Sequence, residues 1–418
     1  MKKILLFYTL LMMSLVFNGC GQNKNESVSN SSSQTAFVES NPSSDVNTTE
    51  ENQTTVITSI EIEEEISIDT NETINILEDN LSETLEENTT AETNLTNESI
   101  LEPYFYQQWY LEENRTFYSE NNIDTNASIH FGKSYRYTGK GIKIAIIDDG
   151  LDITHYELNG SIVETYDINS KTANVSYSSI LGYHGTATTG IIGANDNGIG
   201  IKGIASESQI IFLKHKEGMS DSETIELFNK AEEFGADIIN CSWGTYDVSE
   251  AVKEVIQNLA VNGRGGKGTI IVFATGNDGQ EMGNDESAIP EVIAVGSSDK
   301  DNLRAWYSNY GENLDVLAPG GFDIGITTLD AMGDNGVGTL VDDYLLANDE
   351  NSFIGTSASA PIVSGVIALM LEKDVNMTRV EVEEALKNKS DKIGNLDYVD
   401  GFNEYYGYGK VNVERLLE

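Results

Sequence analysis

Five short apolar runs constrain the fold of this chain more than any other feature. Ile142–Ile147, Ile210–Leu213, Ile238–Cys241, Thr269–Ala274 and Val292–Val295 have strand length, are rich in β-branched residues, and do not alternate with polar positions. A strand with one wet face alternates; a strand that does not is covered on both faces, as in a parallel sheet held between helical layers. Helix-like stretches fall between the runs, at Ser222–Phe234, Ser249–Val261 and Ala358–Glu372. The expected fold is therefore α/β, in three layers: a central, mostly parallel sheet covered by helices on both faces, formed by residues 101–418. No repeat of solenoid or propeller period is present.

The first hundred residues are of another kind. Lys2 and Lys3 precede an uncharged run, Ile4–Phe17, that is too short to cross a bilayer as a helix and reads as the core of a signal peptide over residues 1–20. From Gly21 to Ile100 there are 18 acidic residues against one lysine, and Phe37 is the only aromatic. Such a segment cannot bury enough apolar surface to offset its ordering entropy, so residues 21–100 are expected to be an acidic low-complexity tether. The partial alternation of Ile57, Ile60, Ile62, Ile66 and Ile68, and the helical spacing of Ile74, Leu77, Leu81 and Leu85, leave a small folded pro-segment as the alternative. Over the whole chain 68 acidic residues face 25 basic ones, a formal charge of −43. Phosphate backbones would be repelled, which excludes nucleic acid as a partner and favours basic ligands and divalent cations. The two cysteines, Cys20 and Cys241, give no disulfide framework.

Three segments at strand ends or helix starts carry the groups of nucleophilic acyl transfer: Ile146-Ile147-Asp148-Asp149-Gly150, Tyr183-His184-Gly185-Thr186 and Gly355-Thr356-Ser357-Ala358-Ser359-Ala360-Pro361. A serine hydroxyl needs an imidazole to take its proton, and the imidazole needs a carboxylate to fix its tautomer. The order Asp, His, Ser is that of the subtilisins, and the domain resembles the subtilisin-like serine endopeptidases. Its wording is nearest the kexin and furin branch, the proprotein convertases, at Gln107-Gln108-Trp109-Tyr110-Leu111, Tyr137–Ile142, Asp148-Asp149, Cys241-Ser242-Trp243-Gly244 and Gly355–Pro361. The resemblance implies that Asp148 orients, that His184 is the general base and acid, that Ser357 is the nucleophile, and that Asn277, in Thr275-Gly276-Asn277-Asp278-Gly279, donates to the oxyanion. A helix starting near Ala358 would point its positive end at Ser357.

The same resemblance makes Ser242, Trp243 and Gly244 the edge that receives an extended peptide substrate. It puts Asp247 at the floor of the P1 pocket, Glu286 there as a second acid and Asp149 against a basic P2 side chain, so cleavage after Arg or Lys is expected. It implies Ca2+ as cofactor, bound by Asn197 and the carbonyls of Asn195, Ile199 and Ile201, with Glu157 and Glu102 as carboxylate ligands. Departures from the convertases are Leu181, where they have an acid before the histidine, and Asn309, where they have a glutamate that helps hold calcium near the pocket. Their β-rich domain after the catalytic one is not expected, because Tyr406–Val411 resembles the closing segment of the catalytic domain. Phe17-Asn18-Gly19-Cys20 resembles a bacterial lipobox, which makes Cys20 a lipidation site and implies a membrane-anchored lipoprotein of the bacterial envelope or cell surface, or one released from it; an ordinary signal peptide with an incidental cysteine, or an uncleaved anchor, is the alternative, and a monomer is expected. Alternatives to a basic-specific endopeptidase are a broad degradative subtilisin and an inactive surface-binding module.

Overall fold

In the computed structural model, which describes residues 102–134, 136–176 and 184–418, each of the five apolar runs is a strand. The signal peptide with Cys20 and the acidic segment 21–100 lie outside the described residues. Seven strands form one parallel sheet: β1 (Lys143–Asp148), β2 (Ile162–Asp167), β3 (Gln209–Lys214), β4 (Ile238–Cys241), β5 (Ile270–Ala274), β6 (Ile293–Ser298) and β7 (Val316–Pro319), in the spatial order β2-β3-β1-β4-β5-β6-β7. β8 (Thr328–Leu329) and β9 (Tyr344–Leu345) make a small antiparallel pair. The expected α/β architecture is borne out.

The absence of alternation has a direct structural cause. Ile144, Ile146, Ile210, Phe212, Val272 and Val295 enter one buried cluster, while Ala145, Ile147, Ile211, Leu213, Ile239 and Phe273 enter another on the opposite face. The first face is covered by helices α1 (His184–Gly193) and α2 (Thr356–Lys373), which pack on each other and on the sheet. The second is covered by α3 (Asp221–Glu233) and α4 (Glu250–Gly266). Because α2 is buried along almost its whole length, it carries no polar stripe, and Pro361 is accommodated in its second turn. At roughly 25 cal/mol per Å² of apolar surface removed from water, both layers are stabilised chiefly by this two-sided burial. Within the seven-stranded sheet and the four helices that cover it, two strands and one helix lack the sequence signal: β2 is an edge strand with exposed Val163 and Glu164, β7 is four residues long, and α1 is rich in Gly and Thr.

Candidate functional site

In an open parallel sheet, functional side chains gather beyond the carboxyl ends of the strands, and here they do. Asp148 ends β1; Ser242, Trp243 and Gly244 continue β4; Asn277 follows β5 by three residues; His184 opens α1 and Ser357 stands in the first turn of α2. His184 Nδ1 lies 2.7 Å from Asp148 Oδ1, and Thr188 Oγ1 donates to the other carboxylate oxygen at 3.1 Å. Burial alone would raise the Asp148 carboxyl, but the adjacent imidazole, by charge and hydrogen bond, holds it below the usual carboxylate range. The same pair drives His184 upward against the effect of its burial. An ionised carboxylate only accepts, so Nδ1 carries the proton and Nε2 is left as the acceptor.

Ser357 is drawn into this corner by several contacts. The Phe353 ring, four residues before it, lies 5.3 Å from the His184 ring, and Trp243 Nε1 donates to the Ile147 carbonyl at 2.8 Å. Ser357 Oγ donates to Ser242 O at 3.0 Å, and Ser242 Oγ donates to Ser357 O at 3.0 Å. Among the described residues no hydrogen bond joins Ser357 to His184, so the hydroxyl rests on the Ser242 carbonyl. Asn277 Oδ1 accepts from Thr356 N at 2.8 Å and Thr356 Oγ1 at 3.0 Å. That turns its Nδ2 toward Gly355, where a Cβ would lie 3.2 Å from it.

The three proposed pocket acids have different settings. Glu286 is buried, its oxygens accept from Thr245 N at 2.8 Å and Thr245 Oγ1 at 3.0 Å, and burial raises its carboxyl. A Cβ on Gly244 would lie 3.9 Å from Glu286 Oε2, so this acid backs the Ser242–Gly244 edge. Asp247 is exposed and accepts from Asn284 Nδ2 at 2.7 Å. Asp149 Oδ1 accepts from Gly185 N at 3.0 Å; burial and then the charge of Asp148 push its carboxyl up.

The metal-ligand candidates also converge, on the loop 195–201. Glu102 Oε1 accepts from Asn197 N at 2.5 Å and Gly198 N at 2.8 Å, whereas the buried Glu102 Oε2 has no hydrogen-bond partner among the described residues. Glu157 Oε1 accepts from Tyr344 Oη at 2.9 Å and Ile201 N at 3.3 Å, and its Oε2 from Asn197 Nδ2 at 3.1 Å. Burial raises both carboxyls, Glu157 to about 7, with the charge of Glu102 adding to the effect there. Asn195 is tied by Ser161 Oγ to its Oδ1 at 2.9 Å, and Ile199 N bonds Asn197 Oδ1 at 2.9 Å. Two buried acids, an orphaned carboxylate oxygen and an all-oxygen donor set fit a hard divalent cation.

Residues 139–409 match the Subtilase family, Peptidase_S8. The chain belongs to the subtilase family. This subtilase is 31% identical over 345 residues to a protein named "Calcium-dependent protease" from Nostoc sp., an alignment covering 75% of the chain and 51% of that protein. It therefore spans about half that relative's length. It is 28% identical over 342 residues to a "Dibasic-processing endoprotease" of Yarrowia lipolytica, covering 76% of the chain and 34% of that protein. The solved serine protease of Aeromonas sobria has the same fold, with a TM-score of 0.66 at 18% identity over 76% of this chain and 67% of that one.

Three further residues of the subtilase site were not singled out for these roles in the sequence. Thr356 fixes the Asn277 amide; Tyr344 donates to Glu157; and His215, just after β3, packs edge-on against Trp243, its buried Nδ1 without a hydrogen-bond partner among the described residues. Tyr344 belongs to a hairpin with no periodicity, and only the tertiary approach of β9 to Glu157 reveals it. Among the described residues, no helix is long and apolar enough to cross a membrane.

Proposed function

We propose that this subtilase is a serine endopeptidase acting through an acyl-enzyme, with Asp148, His184 and Ser357 as its catalytic residues. The observation that carries this reading is the 2.7 Å bond between the Asp148 carboxylate and His184 Nδ1, beside the helix end that bears Ser357. The Ser357 hydroxyl turns from the Ser242 carbonyl to His184 Nε2, which takes its proton as Oγ bonds to the scissile carbonyl carbon. The oxyanion is met by Asn277 Nδ2, whose other amide atom is already engaged by Thr356, and by the positive end of the 18-residue α2. His184 then gives the proton to the leaving amine, and water attacks the ester by the same route in reverse. Labelling Ser357 with a phosphonofluoridate tests this: wild type forms the adduct, while Ser357→Ala and His184→Ala do not. A folded wild type that never reacts would leave a surface-binding module as the better account.

The substrate strand lies along Ser242–Gly244, and the buried Glu286, aided by Asp247, selects Arg or Lys at P1. Asp149 meets a basic P2 side chain, more weakly than in convertases because Leu181 stands where they carry an acid. A relative named for dibasic processing supports this pocket. Ca2+ would be held by Glu102, Glu157, Asn197 and the carbonyls of Asn195, Ile199 and Ile201, and would there neutralise the two carboxylates and fix the loop 195–201. A relative named as calcium-dependent supports that assignment. Residues 1–20 direct export, Cys20 takes the lipid, and residues 21–100 tether a monomeric catalytic domain (101–418) to the membrane.

A further inference from the structure

The loop that carries Asn277 has to hold an exposed amide in one place, and a single side chain grips it from beneath. Asn309 lies beyond β6 and is 4% exposed. Its Nδ2 donates to Thr275 O at 2.8 Å, its Oδ1 accepts from Asp278 N at 3.1 Å and Gln280 N at 3.2 Å, and its backbone N donates to Gly276 O at 3.0 Å. These contacts bracket Asn277, falling on both of its chain neighbours, on Thr275 two residues before it and on Gln280 three residues after it. Gly276 has φ +98°, and a Cβ there would lie 2.6 Å from Asn309 Nδ2, so only glycine permits this approach. From above, Thr356 Oγ1 accepts from Gly276 N at 3.2 Å while donating to Asn277 Oδ1. The Asn277 side chain is thus fixed by α2, and the backbone on either side of it by Asn309.

We propose that Asn309 is a positioning residue for the oxyanion donor: it sets the loop so that Asn277 Nδ2 points at the developing charge. The proposal rests on the role assigned above to Asn277. An oxyanion donor acts only where the charge forms, so tenths of an ångström matter. The carboxamide is specific to the task, because it donates to Thr275 O and accepts from two N–H groups at once. A carboxylate accepts only, and would set an oxygen against the Thr275 carbonyl. Where the resemblance puts a glutamate in the convertases, this chain has a carboxamide that bonds the loop at Thr275, Asp278 and Gln280.

The test is a double-mutant cycle on peptide hydrolysis, with Asn309→Ala, Asn277→Ala and the pair, reading kcat and KM separately and thermal stability alongside. Asn309→Ala is expected to lower kcat by about tenfold to 10²-fold, the scale of a small misplacement of a catalytic group, with KM little changed. In the Asn277→Ala background the same substitution should lower kcat no further, because the group it positions is gone. Should Asn309→Ala not fold, Asn309→Ser, whose hydroxyl can replace one of the three side-chain bonds, enters the same cycle. Kcat losses that multiply in the double variant, or a loss carried entirely by KM, overturn the proposal. If Asn277→Ala itself leaves kcat unchanged, the role of Asn277 falls and this inference with it, whereas a costly Asn277→Ala with multiplicative losses sinks Asn309 alone.

Discussion

Replacing Glu286 by glutamine separates the two acids offered for the P1 pocket. Glu286 is the buried one: Thr245 holds both its oxygens, Gly244 packs over it, burial raises its carboxyl, and among the described residues no basic side chain is paired with it. A P1 arginine would supply that charge. A hydrogen bond to a charged partner contributes roughly 1.5–3 kcal/mol, and removing it with Glu286→Gln should cost about tenfold to 10²-fold in kcat/KM. Thr245 N can still donate to the glutamine oxygen, so the pocket wall is kept. Substrates matched except for Arg or Leu at P1 give the readout: the Arg rate falls by that factor and the Leu rate does not. Asp247, exposed and held by Asn284, predicts a much smaller change for Asp247→Asn, since solvent screens a pair of that kind. For wild type, the ratio of kcat/KM on Arg to that on Leu substrates should also fall as the pH drops through the raised value of Glu286, the His184 limb being common to both substrates and cancelling in the ratio. An Arg-to-Leu ratio unchanged in Glu286→Gln refutes the assignment, and a loss confined to Asp247→Asn transfers it to the other acid.

Asp148→Asn should lower the activity plateau by about 10⁴-fold and move the rising limb of the pH–rate profile down toward the ordinary histidine value, because it removes the charge that raises His184. Since the folded value of His184 is the higher one, its contribution to stability is present at low pH and is lost as pH rises through that value; the depressed Asp148 contributes at high pH and is lost as pH falls through its own. Melting curves of both proteins across pH report the difference. Calcium at about 100 times its dissociation constant should stabilise the fold by roughly 2.7 kcal/mol, read as a rise in Tm that a chelator reverses. Glu102→Gln should weaken that response by lowering calcium affinity in calorimetry, and an unchanged affinity would remove Glu102 from the ligand set.

The fold was legible because the sheet is buried twice over. Neighbouring residues such as Ile146 and Ile147 face different helical layers, so both must be apolar, and the strand is visible as an unbroken run. Where that condition fails, the signal fails: β2 leaves Val163 and Glu164 in solvent, and α1 is so completely buried that Gly and Thr replace the usual amphipathic pattern.

The site divides along the same line. Asp148 and Ser357 were legible as candidates because the Asp, His and Ser motifs occur together in the order of the subtilisins, each at a strand end or helix start. Whether Glu286 or Asp247 is the buried acid depends on how the segment around Asn284 pairs with the segment after Gly244, a contact that closes only in three dimensions. The local sequence treats both as acids near glycines. Asn309 is hidden for the same reason: its partners at 275, 278 and 280 are meaningful only once β5 and β6 lie side by side. Groups that react directly are confined to strand and helix termini and so leave a local pattern, whereas groups that aim them are chosen by whichever backbone atoms the fold brings within reach, and any polar residue of the right length can be recruited.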